Sequence, residues 1–257
     1  MNNLDLKKIT EDLLETFFKA GEVAQKISLR GVKITTKPDN TPVTDGDLAV
    51  DKILCDKIKN LTPSIKIISE ETVNLEEKNE NKTFWLIDPI DGTKDYIKKK
   101  EEYTLNAALI VNWKPVLGII FAPAKKRMFF SYGISKAFEI FNGNRTILNG
   151  SKKNNNEIIA LINSDKTDIE IDSIYKKFNV TKIQKMSSSL KFCTLAAGEA
   201  DIYVAKARAC EWDIAAGHAI LEHAGGSVTD HDEKGFLYGK ENYKNLPIIA
   251  KREKFKI

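Results

Sequence analysis

The sequence predicts a mixed α/β (α+β) fold, and three observations carry that prediction. The chain starts with apolar side chains at helical spacing, its middle is a run of strands joined by turn signals, and its second half alternates strand with helix.

In order, Leu6, Ile9, Leu13, Phe17, Ala20, Ala24 and Ile27 recur at steps of three and four, which predicts an amphipathic helix over 5–29 ended by Gly31. Lys33–Pro42 reads as polar and extended. VTDGD then opens a second helix whose apolar face holds Val50, Leu54, Ile58 and Leu61. Ile65–Ile68 is a short strand ending in Ser69, Glu70 and Glu71, and Asn74–Lys82 is a charged surface loop. Phe84–Ile87 reads as a buried strand. Tyr103–Val111 and Val116–Ala122 form a hairpin around the turn residues Asn112–Pro115, and Met128–Tyr132 and Ala137–Phe141 extend the meander to a tight turn at Asn142-Gly143. Asn149–Asn156 is the most linker-like segment. It divides an α+β half, 1–150, carrying most of the candidate acids, from an α/β half, 151–257, expected to pack with it as one unit. The second half reads as strand Ile158–Asn163, helix Ile169–Phe178, strand Thr181–Lys185, a polar turn leading to a helix that ends near Gly198, and strand Asp201–Ala205. A helix built on Ile214, Ala215, Ala219 and Ile220, closed by Gly225 and Gly226, precedes strands at Val228 and Ile248–Ala250.

The 257 residues suffice for a sizeable core, with 42% hydrophobic and 30% charged residues. A net charge of +4 gives no footprint for nucleic acid, and the lysines of 98–100 and 251–256 read as solvated surface that also helps draw in an anionic substrate. Three widely spaced cysteines without a C-x-x-C pattern argue against a disulfide framework or a zinc site. The start lacks a continuous apolar region of the secretory type, and no apolar run approaches the roughly 20 residues that span a bilayer. A cytoplasmic protein, monomer or homodimer, without membrane span, is the expectation.

The stretch FWLIDPIDGTKDY places Asp88 and Asp91 at the end of a buried strand. Two like charges there repel and raise each other's pKa unless a cation lies between them. Pro89 interrupts the regular strand and Gly92 permits a tight turn, so the carboxylates, the Ile90 carbonyl and the Thr93 hydroxyl can converge on one point. All-oxygen donors suit Mg²⁺, Mn²⁺ or Ca²⁺ better than zinc. The same residues also read as an Asp-Pro turn followed by an Asp-Gly turn. Asp45 and Asp47 stand at a helix entry, where capping and the helix dipole favour acids for structural reasons alone. Acids thus mark four places, Asp47, Glu70, Asp88 with Asp91, and Asp213, each at a strand end or helix start.

Through VTDGD, SEE, WLIDPIDGT and WDIAAGHAILEHAGG the sequence resembles the inositol monophosphatase superfamily of Mg²⁺-dependent, lithium-sensitive phosphatases, in order and spacing over nearly the whole chain. Through DPIDGTKDYI, EEYTLNAALI and SSSLKF it is most similar to the 3′(2′),5′-bisphosphate nucleotidase branch. The resemblance implies a layered αβαβα sandwich and a site with two or three Mg²⁺. Glu70, Asp88 and the Ile90 carbonyl would hold one ion and Asp88, Asp91 and Asp213 another, with a third sharing Glu70, while Asp47 and Thr93 activate a water. It further implies that Ser188 and Lys191 grip the phosphate that is not cleaved, where local pattern alone reads a helix cap and an exposed lysine. Backbone N–H groups of Gly92 and Thr93, at the start of a short helix, offer a cradle for a phosphoryl oxygen, and Asp213 also faces substrate. One departure stands out. Family members often carry an arginine where this chain has Ala205, and Lys206 and Arg208 are the neighbouring replacements.

The implied reaction is hydrolysis of adenosine 3′,5′-bisphosphate to AMP and phosphate, and of 3′-phosphoadenylyl sulfate, which belongs to sulfur metabolism. The same-class alternative is an inositol or sugar monophosphatase. From other classes come a glycoside hydrolase using a carboxylate pair, which needs neither five acids nor a metal, and a non-catalytic binding protein, against which stands the full set of expected ligands. His218 and His223 read as helix residues.

Overall fold

The computed structural model describes residues 5–252 apart from 38–39, 78, 134–135, 152–156 and 164–167. Residue 78 of the expected surface loop, 152–156 of the expected linker and 253–256 of the basic tail lie outside the described residues.

Helices α1 (Leu6–Arg30) and α2 (Asp45–Leu61) form where the apolar spacing predicts them, α1 capped by the Asp5 carboxylate accepting from the Lys8 N–H. Between them β1 (Ile34–Thr36) and β2 (Pro42–Thr44) pair as a small antiparallel ribbon. The sequence shows only an extended polar segment there, because β1 is exposed throughout and buries no alternating face. Strands β3 (Lys66–Ser69), β4 (Thr83–Asp91), β5 (Thr104–Val111), β6 (Lys114–Ala122), β7 (Arg127–Tyr132), β8 (Ala137–Phe141) and β9 (Asn144–Leu148) build one seven-stranded sheet in chain order. Only the β3–β4 pair is parallel. β9 is an edge strand, exposed up to Leu148, so no apolar alternation marks it in the sequence.

The second half supplies a five-stranded sheet in the order β11-β10-β12-β14-β13, from β10 (Ile159–Ile162), β11 (Lys182–Lys185), β12 (Ile202–Ala205), β13 (Ser227–Thr229) and β14 (Ile248–Lys251). Its helices are α4 (Ile169–Lys177), α5 (Leu190–Ala196) and α6 (Glu211–His223); a short α3 (Thr93–Ile97) follows β4.

Alternation along the strands fixes the layers. Trp85 and Ile87 of β4 pack with α1 and α2, whereas Phe84 and Leu86 face α5, α6 and the near side of the second sheet through Leu161, Tyr203 and Ala250. The far side of that sheet, Ala160, Ile202, Val204 and Ile249, buries Tyr175 of α4 and Phe178. The result is helix, sheet, helix, sheet, helix: the αβαβα sandwich. Arg127 stitches the first sheet to the segment after α5, reaching Glu139 at 2.5 Å and Glu199 at 2.8 Å. α6 lies so close on β6 that a Cβ added to Gly118 would sit 2.3 Å from the Ala216 carbonyl oxygen. Since α6 carries Asp213, that approach bears on the site as well as on the core. Gly118→Ala is expected to lower the free energy of unfolding by about 1–3 kcal/mol, read as a fall in the urea midpoint at unchanged slope; an unchanged midpoint would show that α6 withdraws without cost.

Candidate metal centre and substrate cleft

β4 runs past Pro89 to Asp91, but its pairing with β5 slips: Asp88 stands opposite Asn106 and Asp91 opposite Thr104. Three steps on β4 therefore match two on β5, which is a one-residue bulge. In a regular strand residues three apart point to opposite faces. The extra residue cancels that half-turn, so Asp88 and Asp91 can serve one site. Gly92 then takes φ 91°, a left-handed conformation that a Cβ disfavours, and starts α3. Tyr96 of α3 anchors this corner by donating its hydroxyl to the Ala24 carbonyl at 2.6 Å.

Glu70 follows β3, Asp88 lies within the buried part of β4, and Asp213 is the third residue of α6. One carboxylate oxygen from each lies within 4.8 Å of the other two. Asp213 is held by the Cys210 N–H donating at 2.7 Å. Asp91 is outside this trio; one of its oxygens accepts the Ser189 N–H at 2.5 Å. Asp88 is 1% exposed and its Oδ1 has no hydrogen-bond partner among the described residues, an arrangement costly for a carboxylate unless a cation satisfies it. Burial first, then the charges of Glu70, Asp91 and Asp213, raises Asp88 well above the ordinary carboxylate range. Burial, then Asp91 and Glu70, does the same to Asp213. Burial lifts Asp91 to about 6 against the pull of Lys191 and the Ser189 N–H. These donors are all oxygen, mutually repelling and partly orphaned, and they fit a hard divalent cation.

Asp47 lies on α2 beside this cluster. One of its oxygens accepts from the Thr44 N–H and hydroxyl in a capping box, and the other is 3.3 Å from Thr93 Oγ1. That hydroxyl is also 3.1 Å from the Ile90 carbonyl oxygen. Burial raises Asp47, partly offset by the Thr44 hydrogen bonds. The neighbouring Asp45 instead pairs with Arg30 at 2.6 Å. The Gly92 N–H is turned to the Asp91 carboxylate and helps hold its charge.

A cavity of about 1070 Å³ opens over these acids and is lined also by Ser188, Lys191, Tyr203 and Arg208, and by Lys98 and Lys100 at its edge. Lys191 is 3% exposed, donates to the Ser188 carbonyl and lies 4.9 Å from the Tyr203 ring centroid. Burial lowers its ammonium to about 8 although Asp91 pulls the other way. It is therefore not the exposed lysine that local pattern suggests. Lys206 pairs with Asp168 at 2.8 Å, whereas the charge of Arg208 reaches both Lys191 and Tyr203. Ala205, Lys206 and Arg208 all line the cavity, but the Lys206 ammonium is engaged by Asp168, which makes Arg208 the better placed of the two cations for an anion there. His218 is buried against Tyr238 and Glu222, apart from these groups.

Sequence reasoning misses several residues at this site. Lys37 pairs with Glu70 at 3.0 Å and Glu71 at 2.8 Å, and burial raises Glu71 to about 7 against that pairing. Nothing in KITTKPDNTP distinguishes this lysine from a solvated one. Ser189 donates its hydroxyl to Asn106 at 2.6 Å and lies 2.8 Å from the Thr104 hydroxyl, and Glu102 accepts from the Ser187 N–H at 2.9 Å. Only pairing across the fold brings these together.

The described helices include none long and apolar enough to cross a membrane. Residues 5–253 match the model of the inositol monophosphatase family. The 3′(2′),5′-bisphosphate nucleotidase CysQ of Buchnera aphidicola is 37% identical over 236 residues, 89% of this chain and 86% of the relative. The crystal structure of CysQ from Bacteroides thetaiotaomicron superposes with a TM-score of 0.78 at 26% identity, covering 97% of this chain and 98% of that one. An IMPase/NADP phosphatase complexed with Mg²⁺ and phosphate shares the fold, with a TM-score of 0.79 at 20% identity over 97% and 92% of the two chains. A match over nearly the full length, with the motif acids gathered at one cleft, makes the chain a member of the inositol monophosphatase family.

Proposed function

We propose that the chain is a Mg²⁺-dependent phosphomonoesterase that hydrolyses the 3′-phosphate of adenosine 3′,5′-bisphosphate to give AMP and phosphate, and that also accepts 3′-phosphoadenylyl sulfate. The observation that carries this reading is one cavity joining an orphaned acid cluster to a buried lysine. The first suits a cation and the second an additional anionic group on the substrate. The CysQ relatives support the same substrate class.

Glu70, Asp88, Asp213, Asp91 and the Ile90 carbonyl would hold two or three divalent ions. Bound there, the cations neutralise phosphoryl charge and lower the pKa of a water. Thr93, its hydroxyl placed between Asp47 and the Ile90 carbonyl, orients the attacking water, and Asp47 takes the proton. The water oxygen bonds to phosphorus as the bond from phosphorus to the ribose oxygen breaks, and that ribose oxygen takes up a proton from solvent. Ser188, Lys191 and Arg208 hold the 5′-phosphate and so set the distance from the site to the scissile group.

Phosphate release with Mg²⁺ is expected to be at least about tenfold faster, as kcat/KM, from the bisphosphate than from inositol 1-phosphate, and Li⁺ is expected to inhibit it. The opposite ranking would sink the nucleotide reading and leave an inositol or sugar phosphatase. Arg208→Ala should raise KM for the bisphosphate about 10- to 100-fold, and Lys206→Ala should leave it within about twofold; equal effects would return the anion contact to neither.

The raised acids also set a pH dependence. In the cation-free protein Asp91, at about 6, and Glu71, at about 7, retain protons in the folded state that their ordinary values of 3.8 and 4.5 would release. The folded state binds more protons across that window, so these groups lower stability as pH rises from about 4 to about 7. Asp88, raised well above the ordinary carboxylate range by burial, adds to the same decline, and Asp88→Asn removes its contribution. The substitution should flatten that part of the decline in Tm measured with chelator, while cutting turnover at least about 100-fold. A steeper decline in the variant would contradict the burial argument.

A further inference from the structure

The turn Ser187–Ser189 joins β11 to α5 and presents Ser188 and Lys191 to the cleft. Ser188 holds it in a left-handed conformation, φ 56°, which a residue with a Cβ adopts only where its surroundings compel it. On one side Ser189 supplies the compulsion through Asp91, Asn106 and Thr104. On the other, side chains from the opposite half of the chain do so, Glu102 foremost. Glu102 Oε2 accepts the Ser187 N–H at 2.9 Å and lies 3.2 Å from its hydroxyl. The Ser187 hydroxyl is also 3.4 Å from the Glu102 carbonyl oxygen, and Asp95 stands within hydrogen-bonding reach of it. Glu102 directly precedes the buried residues Tyr103 and Thr104, so its backbone is fixed from behind. The turn packs against Gly92, where an added Cβ would lie at ordinary contact distance from the Ser188 Cβ, 3.6 Å, and the Glu102 carbonyl oxygen, 3.5 Å.

We propose that Glu102 is a positioning residue for substrate choice: by clamping Ser187 it holds the turn whose Ser188 and Lys191 receive the uncleaved phosphate. This rests on the bisphosphate reading above. Glu102 makes no hydrogen bond to the acid trio. It acts through the turn and, as a carboxylate lining the same cleft, also favours the Lys191 ammonium. Glu102→Gln, which removes that charge but keeps the acceptor, separates the two effects. A substrate with one phosphate, engaged only at the acids, gains nothing from that geometry, whereas a bisphosphate must satisfy two anchoring points at a fixed separation.

The test uses the full chain and the pair Glu102→Ala and Glu102→Gln, the second keeping an acceptor for the Ser187 N–H. Glu102→Ala is expected to raise KM for adenosine 3′,5′-bisphosphate about tenfold, with kcat changing less than about twofold and turnover of a monophosphate preserved. Glu102→Gln should recover most of the loss. Amide hydrogen exchange across 186–190, measured without substrate, should quicken in Glu102→Ala and stay near the wild-type rate in Glu102→Gln. Equal losses on both substrates, or exchange unchanged in Glu102→Ala, would overturn the role of Glu102. If the wild-type chain itself shows no preference for the bisphosphate, the substrate reading fails, and the exchange measurement still decides whether Glu102 clamps the turn.

Discussion

Mutual repulsion among buried carboxylates is the constraint on which this structure depends. Glu70, Asp88 and Asp213 come from β3, β4 and α6, and Asp91 follows within one bulge. Nothing in hydrophobic packing favours gathering them; burial and like charge both oppose it. The arrangement persists because each backbone that carries an acid is secured elsewhere: β4 in the centre of two cores, α6 pressed onto Gly118, α2 by its capping box. The fold spends packing to hold an electrostatic tension that a divalent cation relieves.

The groups proposed for the uncleaved phosphate, Ser188, Lys191 and Arg208, come from the second half, whereas the first half supplies Glu70, Asp88 and Asp91 together with lysines of the cavity lining such as Lys98 and Lys100. Lys191, buried and lowered to about 8, shows the cost of bringing a cation into this interior. Asp91 belongs to both sides: its carboxylate accepts the Ser189 N–H while its charge raises Asp88 and Asp213. The serine turn and the acids are thus mechanically one assembly.

The order of elements was legible in the sequence because α1, α2, β4 to β8 and α6 bury one face or both, and burial writes a period into the residues, whereas the αβαβα layering was what the family resemblance implied. The ribbon of β1 and β2 and the edge strand β9 escaped because they are exposed or too short to show one. At the site the motif acids were legible as acids out of place. The bulge that lets Asp88 and Asp91 converge was signalled only by Pro89 and Gly92, and its register appears only in the pairing with β5. Lys37 carried no local signal, Arg208 was legible only as one of two cations beside Ala205, and Glu102 stood in EEYTLNAALI with nothing to show its contact with Ser187. A lysine or glutamate in a polar stretch looks the same whether it meets water or a partner eighty residues away, and Ser187 and Glu102 are separated by 85 positions.

Lys37 has a consequence for assembly. Its ammonium sits between Glu70 and Glu71 and is itself stabilised in the charged form, their attraction outweighing its burial. The chain thereby brings its own counterion to the rim of the acid cluster. Part of the compensation that the gathered acids require is therefore written into the chain itself, at Lys37.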